Sequence, residues 1–282
     1  MSRRNNSRNR KDTRDKKADF WGILMLTFVA LFMVGIGAAY LYSQTNMPEI
    51  DKNTFCPKSG ATSVTAVLID ATDSLSVQQK QAFLSAFQSL RDSIPIHGRL
   101  DLYFIHNTQT SLLKPVVSLC NPGRGAEVSE LVGNPRHVEQ KWREGFGLPL
   151  DHEISRLLNA SPDNESPILE SIQSVVLTSL SEAIDQHKPK KLIVVSDLMQ
   201  HTSNFSLYRE TPAIDNIIQN KSFNRMKSDL RHIDISVWML ARDNALSRSK
   251  LVEIWQRIFA EQGAQSAYFC VLVESNRCQN DK

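Results

Sequence analysis

The chain has no Gly-x-Ser-x-Gly elbow, no His-Glu-x-x-His helix and no Gly-rich phosphate loop, and no Asp-x-Asp pair follows its first apolar strand. These absences remove the common signatures of serine hydrolases, zinc proteases, nucleotide-binding enzymes and phosphoaspartate phosphatases, and the expectation is a protein that is not an enzyme. The seven histidines are scattered without ligand spacing. Only four cysteines occur, Cys56, Cys120, Cys270 and Cys278, none in the first 55 residues and none at zinc-finger spacing. An even number confined to one side of an apolar segment suits disulfides in an oxidising compartment. There is no internal repeat and no low-complexity tract beyond a basic amino-terminal tail.

Charge is missing altogether from Phe20 to Tyr42, where nearly every residue is apolar. A helix over residues 20–42 would span roughly 34 Å, enough for the hydrocarbon core of a bilayer. Trp21 at one end and Tyr40 and Tyr42 at the other suit interfacial aromatic belts. The tail at 1–19 holds eight basic and three acidic residues, so of the formal charge of +3 it supplies +5. The remainder is slightly acidic, and the basic pI gives no argument for a nucleic-acid partner. The positive flank predicts a cytoplasmic amino terminus, with the rest of the chain on the far side of the membrane. A cleaved signal peptide, with Gly37 and Ala39 before the cut, is the competing reading, weakened by the length of the apolar region. Gly35 and Ala39 have helix-packing spacing, so homo-oligomerisation is compatible with the span.

Residues 43–61, with Pro48, Pro57 and Gly60, read as a linker, and residues 62–282 as one exported domain. Strands and helices alternate through it. Strands are expected at 63–69, 100–105, 112–119, 192–195, 233–240 and 267–273. Helices are expected at 77–93, with Ser76 and Gln79 as a capping box, and at 166–187, 212–232 and 247–263. The polar turn at 106–111 is too short for a parallel crossover, so the third strand should run antiparallel to the second. Residues 121–165 form an irregular insertion with helical patches around 138–145 and 150–159. Trp142 reads there as one buried aromatic on an otherwise exposed helix. The fold class is α/β, a doubly wound and mostly parallel sheet with one antiparallel edge strand, preceded by one transmembrane helix.

Oxygen-bearing side chains fall at three strand-to-helix junctions, where ligands bind in open α/β sheets. Asp70, Thr72 and Ser74 follow the first strand, Ser166 opens the long helix, and Asp197 ends the strand at 192–195. This arrangement resembles the von Willebrand factor type A (vWA) domain over about residues 62–274. That family's metal-ion-dependent adhesion site uses Asp-x-Ser-x-Ser, then Thr, then Asp. Here the three loops read Asp70-Ala71-Thr72-Asp73-Ser74, Ser166-Pro167-Ile168 and Val194-Val195-Ser196-Asp197, the last without the glycine that commonly follows the aspartate. The resemblance implies a Mg²⁺ or Mn²⁺ ion held by Asp70, Thr72, Ser74, Ser166 and Asp197, with a coordination position left for an acidic group of a protein partner. Hydroxyls and carboxylates are the oxygen ligands such ions take.

Against this stands a metal-free reading in which Ser74 and Ser166 are helix N-caps and Asp197 a strand-terminating loop residue; Asp73 reads as a solvated loop residue and His201 as an exposed one. The expected setting is a bacterial inner membrane, with the domain in the periplasm and another envelope component as partner. A metal-independent scaffold that binds through 121–165 is the alternative, and a periplasmic hydrolase is the remaining one. The proposed topology brings Cys56 and Cys120 to the pole opposite the site, which would leave Cys270 to pair with Cys278. The two other connectivities stay open.

Overall fold

The computed structural model describes residues 6–45, 48–105, 112–129, 133–159, 164–203, 205–208, 214–242, 246–272 and 278. The chain divides into two compact units, Met1–Glu49 and Ile50–Lys282. The first is a single helix, α1 (Asn6–Thr45), which begins within the tail rather than at Phe20. Its stretch Trp21–Tyr42 is long and apolar enough to cross a membrane.

The second unit is built on six strands in the order β3-β2-β1-β4-β5-β6. They are β1 (Val64–Asp70), β2 (Arg99–Ile105), β3 (Val117–Cys120), β4 (Lys190–Ser196), β5 (Ile233–Met239) and β6 (Ala267–Val271). All pairs are parallel except β2 with β3. β1 lies between β2 and β4 and all seven of its residues are buried. This is what a continuous apolar run dictates when helices cover both faces of a sheet. Alternation then sends Val64, Ala66 and Leu68 into one core and Val67 and Ile69 into the other.

The first core is closed by α5 (Ile168–Val175), α7 (Lys221–Met226) and α8 (Arg248–Glu261), through Ile172, Phe223, Trp255 and Ile258. The second is closed by α2 (Val77–Ser93) together with α3 (Pro135–Trp142) and α4 (Leu148–Leu157). Trp142 is buried as expected, but so are Phe146, Leu150 and Ile154. The helices of the expected insertion therefore contribute a core layer, through residues 142–154. Two guanidinium groups pack on the Trp142 ring, Arg124 at 4.0 Å and Arg91 at 5.1 Å from its centroid.

Several boundaries differ from expectation, each for a local reason. The helix expected to run to His187 loosens into a wide turn at Val176–Leu180 and stops at Ser181. There the Thr178 and Ser179 hydroxyls bond Tyr103 Oη at 2.8 and 2.5 Å, drawing the chain to β2. Ile184, expected on the buried side, is 52% exposed, while Asp185 turns inward and accepts a hydrogen bond from Ala61 N at 2.9 Å. The helix expected at 212–232 is two helices, α6 (Ile214–Gln219) and α7, because Asn220 caps the second through Ser222 N at 2.7 Å; side-chain caps of this kind start helices. β3 is shorter than 112–119, since Pro115 has no N–H for a ladder. The turn at 106–111 lies outside the described residues.

Cys56 is bonded to Cys120 and Cys270 to Cys278, with S–S distances of 2.07 and 2.04 Å. Cys120 faces Arg99 across β2 and β3, at the end of the sheet away from Asp70. The expected linker is tied to the domain from Ile50 onward: Asp51 Oδ1 accepts from the N–H groups of Asn53 and Thr54, both at 2.9 Å, and Cys120 N donates to Thr54 O at 2.8 Å.

Candidate functional site

Parallel register sets the site. Ile69 pairs with Val195, which brings the next residues, Asp70 of β1 and Ser196 of β4, to the same carboxyl edge. Asp70 is buried and accepts four hydrogen bonds. Its Oδ1 takes Thr72 N at 3.1 Å and Thr72 Oγ1 at 2.6 Å, and its Oδ2 takes Ser166 Oγ and Ser196 Oγ, both at 2.8 Å. Three of the sequence-derived residues thus meet directly, and a carboxylate with this many donors is held in one orientation.

Ser166 is not an N-cap, because Pro167 occupies that position and no side chain caps α5. Instead Ser166 pairs by backbone with His201, N to O at 2.9 Å in both directions, which places its hydroxyl over Asp70. His201 is half-buried rather than exposed, with Nδ1 2.8 Å from Ser206 Oγ. Ser74 is exposed at the rim of the β1 loop, and the cap of α2 is Ser76, with its reciprocal bonds to Gln79 at 3.2 and 3.0 Å.

Asp197 is 6% exposed. Its Oδ1 accepts from Met199 N at 3.0 Å, while Oδ2 receives no hydrogen bond among the described residues. The nearest cation is Arg242, whose Nε lies 3.3 Å from that oxygen and whose Nη1 lies 3.5 Å from Asp73 Oδ2. Burial first, and then the neighbouring charges of Asp70 and Asp73, push the Asp197 carboxyl up to about 6. Leu198, at the position where the resemblance leads one to look for glycine, adopts φ +66°, and its carbonyl accepts from Trp255 Nε1 at 2.9 Å. A non-glycine residue in this region is strained by about 1–2 kcal/mol, offset here by complete burial of the side chain.

The raised Asp197 pKa has a signed consequence in metal-free protein. Between about 3.8 and 6 the folded state binds more protons than the unfolded one, so stability falls as pH rises through that window, with the cost fully present above it. Asp197→Asn should remove this slope and gain stability above pH 6.5, by about 3 kcal/mol at most. Urea midpoints at pH 4.5 and 7, in chelator, check it.

Sequence reading missed Ser196 and Arg242 as parts of the cluster. Ser196 adjoins Asp197 but reaches Asp70 only through sheet register. Arg242 comes from the far end of β5, with no local motif to mark it. Among the described residues no three His, Cys, Asp or Glu side chains converge as a metal site; the donor set here is two carboxylates with hydroxyls. It fits a hard divalent cation on two counts. Asp197 keeps a buried oxygen without a donor. Thr72 and Ser166 spend their protons on Asp70, and a hydroxyl that donates still has lone pairs to offer.

No family model matches the chain, and no curated protein matches it. Among solved structures it is similar to the SpRpn10 VWA domain at 12% identity, over 79% of this chain and 100% of that one, with a TM-score of 0.40. It is similar to an aerotolerance-related membrane protein from Bacteroides fragilis NCTC 9343 at 12% identity, over 77% and 94% of the two chains, with a TM-score of 0.36. BatB from Bacteroides thetaiotaomicron, a conserved hypothetical protein, is similar at 10% identity over 78% and 94%, also with a TM-score of 0.36. The fold assignment rests on the sheet itself. Its strand order, its antiparallel edge and the convergence of the β1 loop, the α5 opening and the β4 end give the unit from Ile50 a vWA-like fold.

Proposed function

We propose that the domain is a membrane-anchored protein-binding module that engages an acidic group of a partner through a divalent cation at Asp70, Thr72, Ser74, Ser166 and Asp197. The observation that carries this reading is the pairing of a fully hydrogen-bonded Asp70 with a buried, donor-less Asp197 oxygen beside it. A bound Mg²⁺ or Mn²⁺ would supply positive charge and an open coordination position for a carboxylate. Asp70 orients the Thr72 and Ser166 hydroxyls, Asp197 supplies buried negative charge, and Ser74, at the rim, is placed where the partner approaches. The function is binding, with no turnover assigned.

Anchoring through residues 20–42, a cytoplasmic tail and a periplasmic domain of a bacterial inner membrane complete the proposal. The basic flank and the confinement of both disulfides to the domain support it. A metal-independent scaffold is favoured by one observation, the internal counter-charge from Arg242. A photo-crosslinking residue at exposed Val77, in the full chain in its native membrane, separates the two. The proposal expects a protein adduct that disappears in Asp70→Ala and under chelation. An adduct unchanged by both would support the scaffold.

A further inference from the structure

The Arg242 guanidinium stands between carboxylates, but its Nε forms no hydrogen bond among the described residues. The two residues before Arg242 are fixed: Leu240 N donates to Ser196 O at 3.0 Å, and Gln79 Nε2 donates to Ala241 O at 2.7 Å. The side chain is thereby aimed between Asp197 and Asp73, at 3.3 and 3.5 Å. Yet Arg242 Nε and Asp197 Oδ2 are both buried without a hydrogen-bond partner among the described residues. The contact is long, electrostatic and poorly aligned, the kind that a better cation displaces. Beside it opens a cleft of about 510 Å³, where Asp197, Arg242, Ser247, Arg248 and Ser249 share the lining with apolar side chains such as Met239 and Leu246. Arg242 thus lines the cleft as well as facing the carboxylates.

We infer that Arg242 is an internal cation of the cluster, which competes with the divalent ion for Asp197. Once displaced, it presents its charge in the cleft to the acidic partner. This inference rests on the proposed cation site and adds its regulation. Without the ion, one guanidinium offsets only part of the charge of Asp70, Asp73 and Asp197, and the cluster offers an acidic partner no attraction. With the ion bound, a guanidinium that had been spent on internal carboxylates is released to the cleft. The coupling runs both ways: whatever holds Arg242 in the cleft tightens the ion, by the same factor that the ion favours the displaced guanidinium. An acidic partner segment would therefore raise cation affinity as well as contact the cation.

The test is a Mn²⁺ titration of the purified full chain at low ionic strength, with unbound Mn²⁺ followed by electron paramagnetic resonance. Wild type is compared with Arg242→Gln, Arg242→Lys and Asp70→Ala. Removing a unit charge that lies 3.3 Å from Asp197 Oδ2 should lower the Kd of Arg242→Gln about tenfold or more. Arg242→Lys, which keeps the charge, should stay within a few-fold of wild type, and Asp70→Ala should bind no Mn²⁺. An unchanged or higher Kd in Arg242→Gln, with wild type binding normally, overturns the inference and leaves the cation site standing. A gain in Arg242→Lys equal to that in Arg242→Gln also overturns it, since shape rather than charge would be responsible. Absence of Mn²⁺ binding in both wild type and Arg242→Gln removes the cation site, and this inference with it.

Discussion

Replacing Arg99 by alanine is expected to lower stability by about 3–5 kcal/mol, enough to remove much of a typical domain's margin. Arg99 begins β2 at the pole of the sheet away from Asp70. Its Nε contacts Asp101 Oδ2 at 3.0 Å, Nη1 contacts Glu182 and Asp185 at 2.9 and 3.1 Å, and Nη2 donates to Ser179 O at 3.0 Å. Asp101 and Asp185 are essentially inaccessible to water. Truncating the guanidinium therefore leaves two buried carboxylates without a counter-charge, and the penalty comes from those groups more than from the lost attraction. Arg99→Lys should recover part of the loss, because a point charge cannot reproduce the fork that reaches three carboxylates. Urea unfolding of the three proteins checks the order. A fall below 1 kcal/mol for Arg99→Ala would mean that water reaches this network.

The second large effect is expected from the Cys56–Cys120 bridge. Its partners are separated by 64 positions in sequence, against 8 for Cys270 and Cys278. Constraint of the unfolded chain grows with loop length, giving about 4 kcal/mol for the longer loop and about 2.5 kcal/mol for the shorter. Replacing Cys56 and Cys120 together by serine should thus lower the unfolding midpoint more than the same change at Cys270 and Cys278. The longer bridge also pins the segment that starts at Ile50, through the turn capped by Asp51. It lies at the opposite end of the sheet from Asp70, so its loss should leave cation affinity in the surviving folded protein unchanged. Equal destabilisation by the two pairs would show that loop entropy does not dominate here.

Local signals carried a large part of the fold. The apolar run of β1 marks a strand covered on both faces, and Ser76 with Gln79 marks the start of α2 to the residue. The short connection before β3 requires an antiparallel neighbour, which is how β2 and β3 pair. What local pattern cannot show is where a distant partner pulls the chain out of its periodic course. The end of α5 yields to hydroxyl contacts with Tyr103 and to Asp185 turning in toward Arg99, both set by β2 some 75 to 86 positions away. The site divides the same way. Asp70, Thr72 and Asp197 stand out as oxygen-bearing strand ends, and Ser166 as a helix opening. Ser196 gains its role only through the register of β1 with β4, and Arg242 only through the arrival of β5 beside them. Leu198 holds a backbone conformation suited to glycine, an exchange made tolerable by burial that the sequence does not announce.

Thermal unfolding of the full chain in EDTA, and then in rising Mg²⁺ or Mn²⁺, beside Asp70→Ala, tests the central claim most directly. At about a hundred times the Kd a bound ion adds roughly 2.7 kcal/mol, a rise of about 5–10 °C for a domain of this size. The account predicts that rise in wild type and its absence in Asp70→Ala. No shift in wild type up to millimolar cation would contradict it.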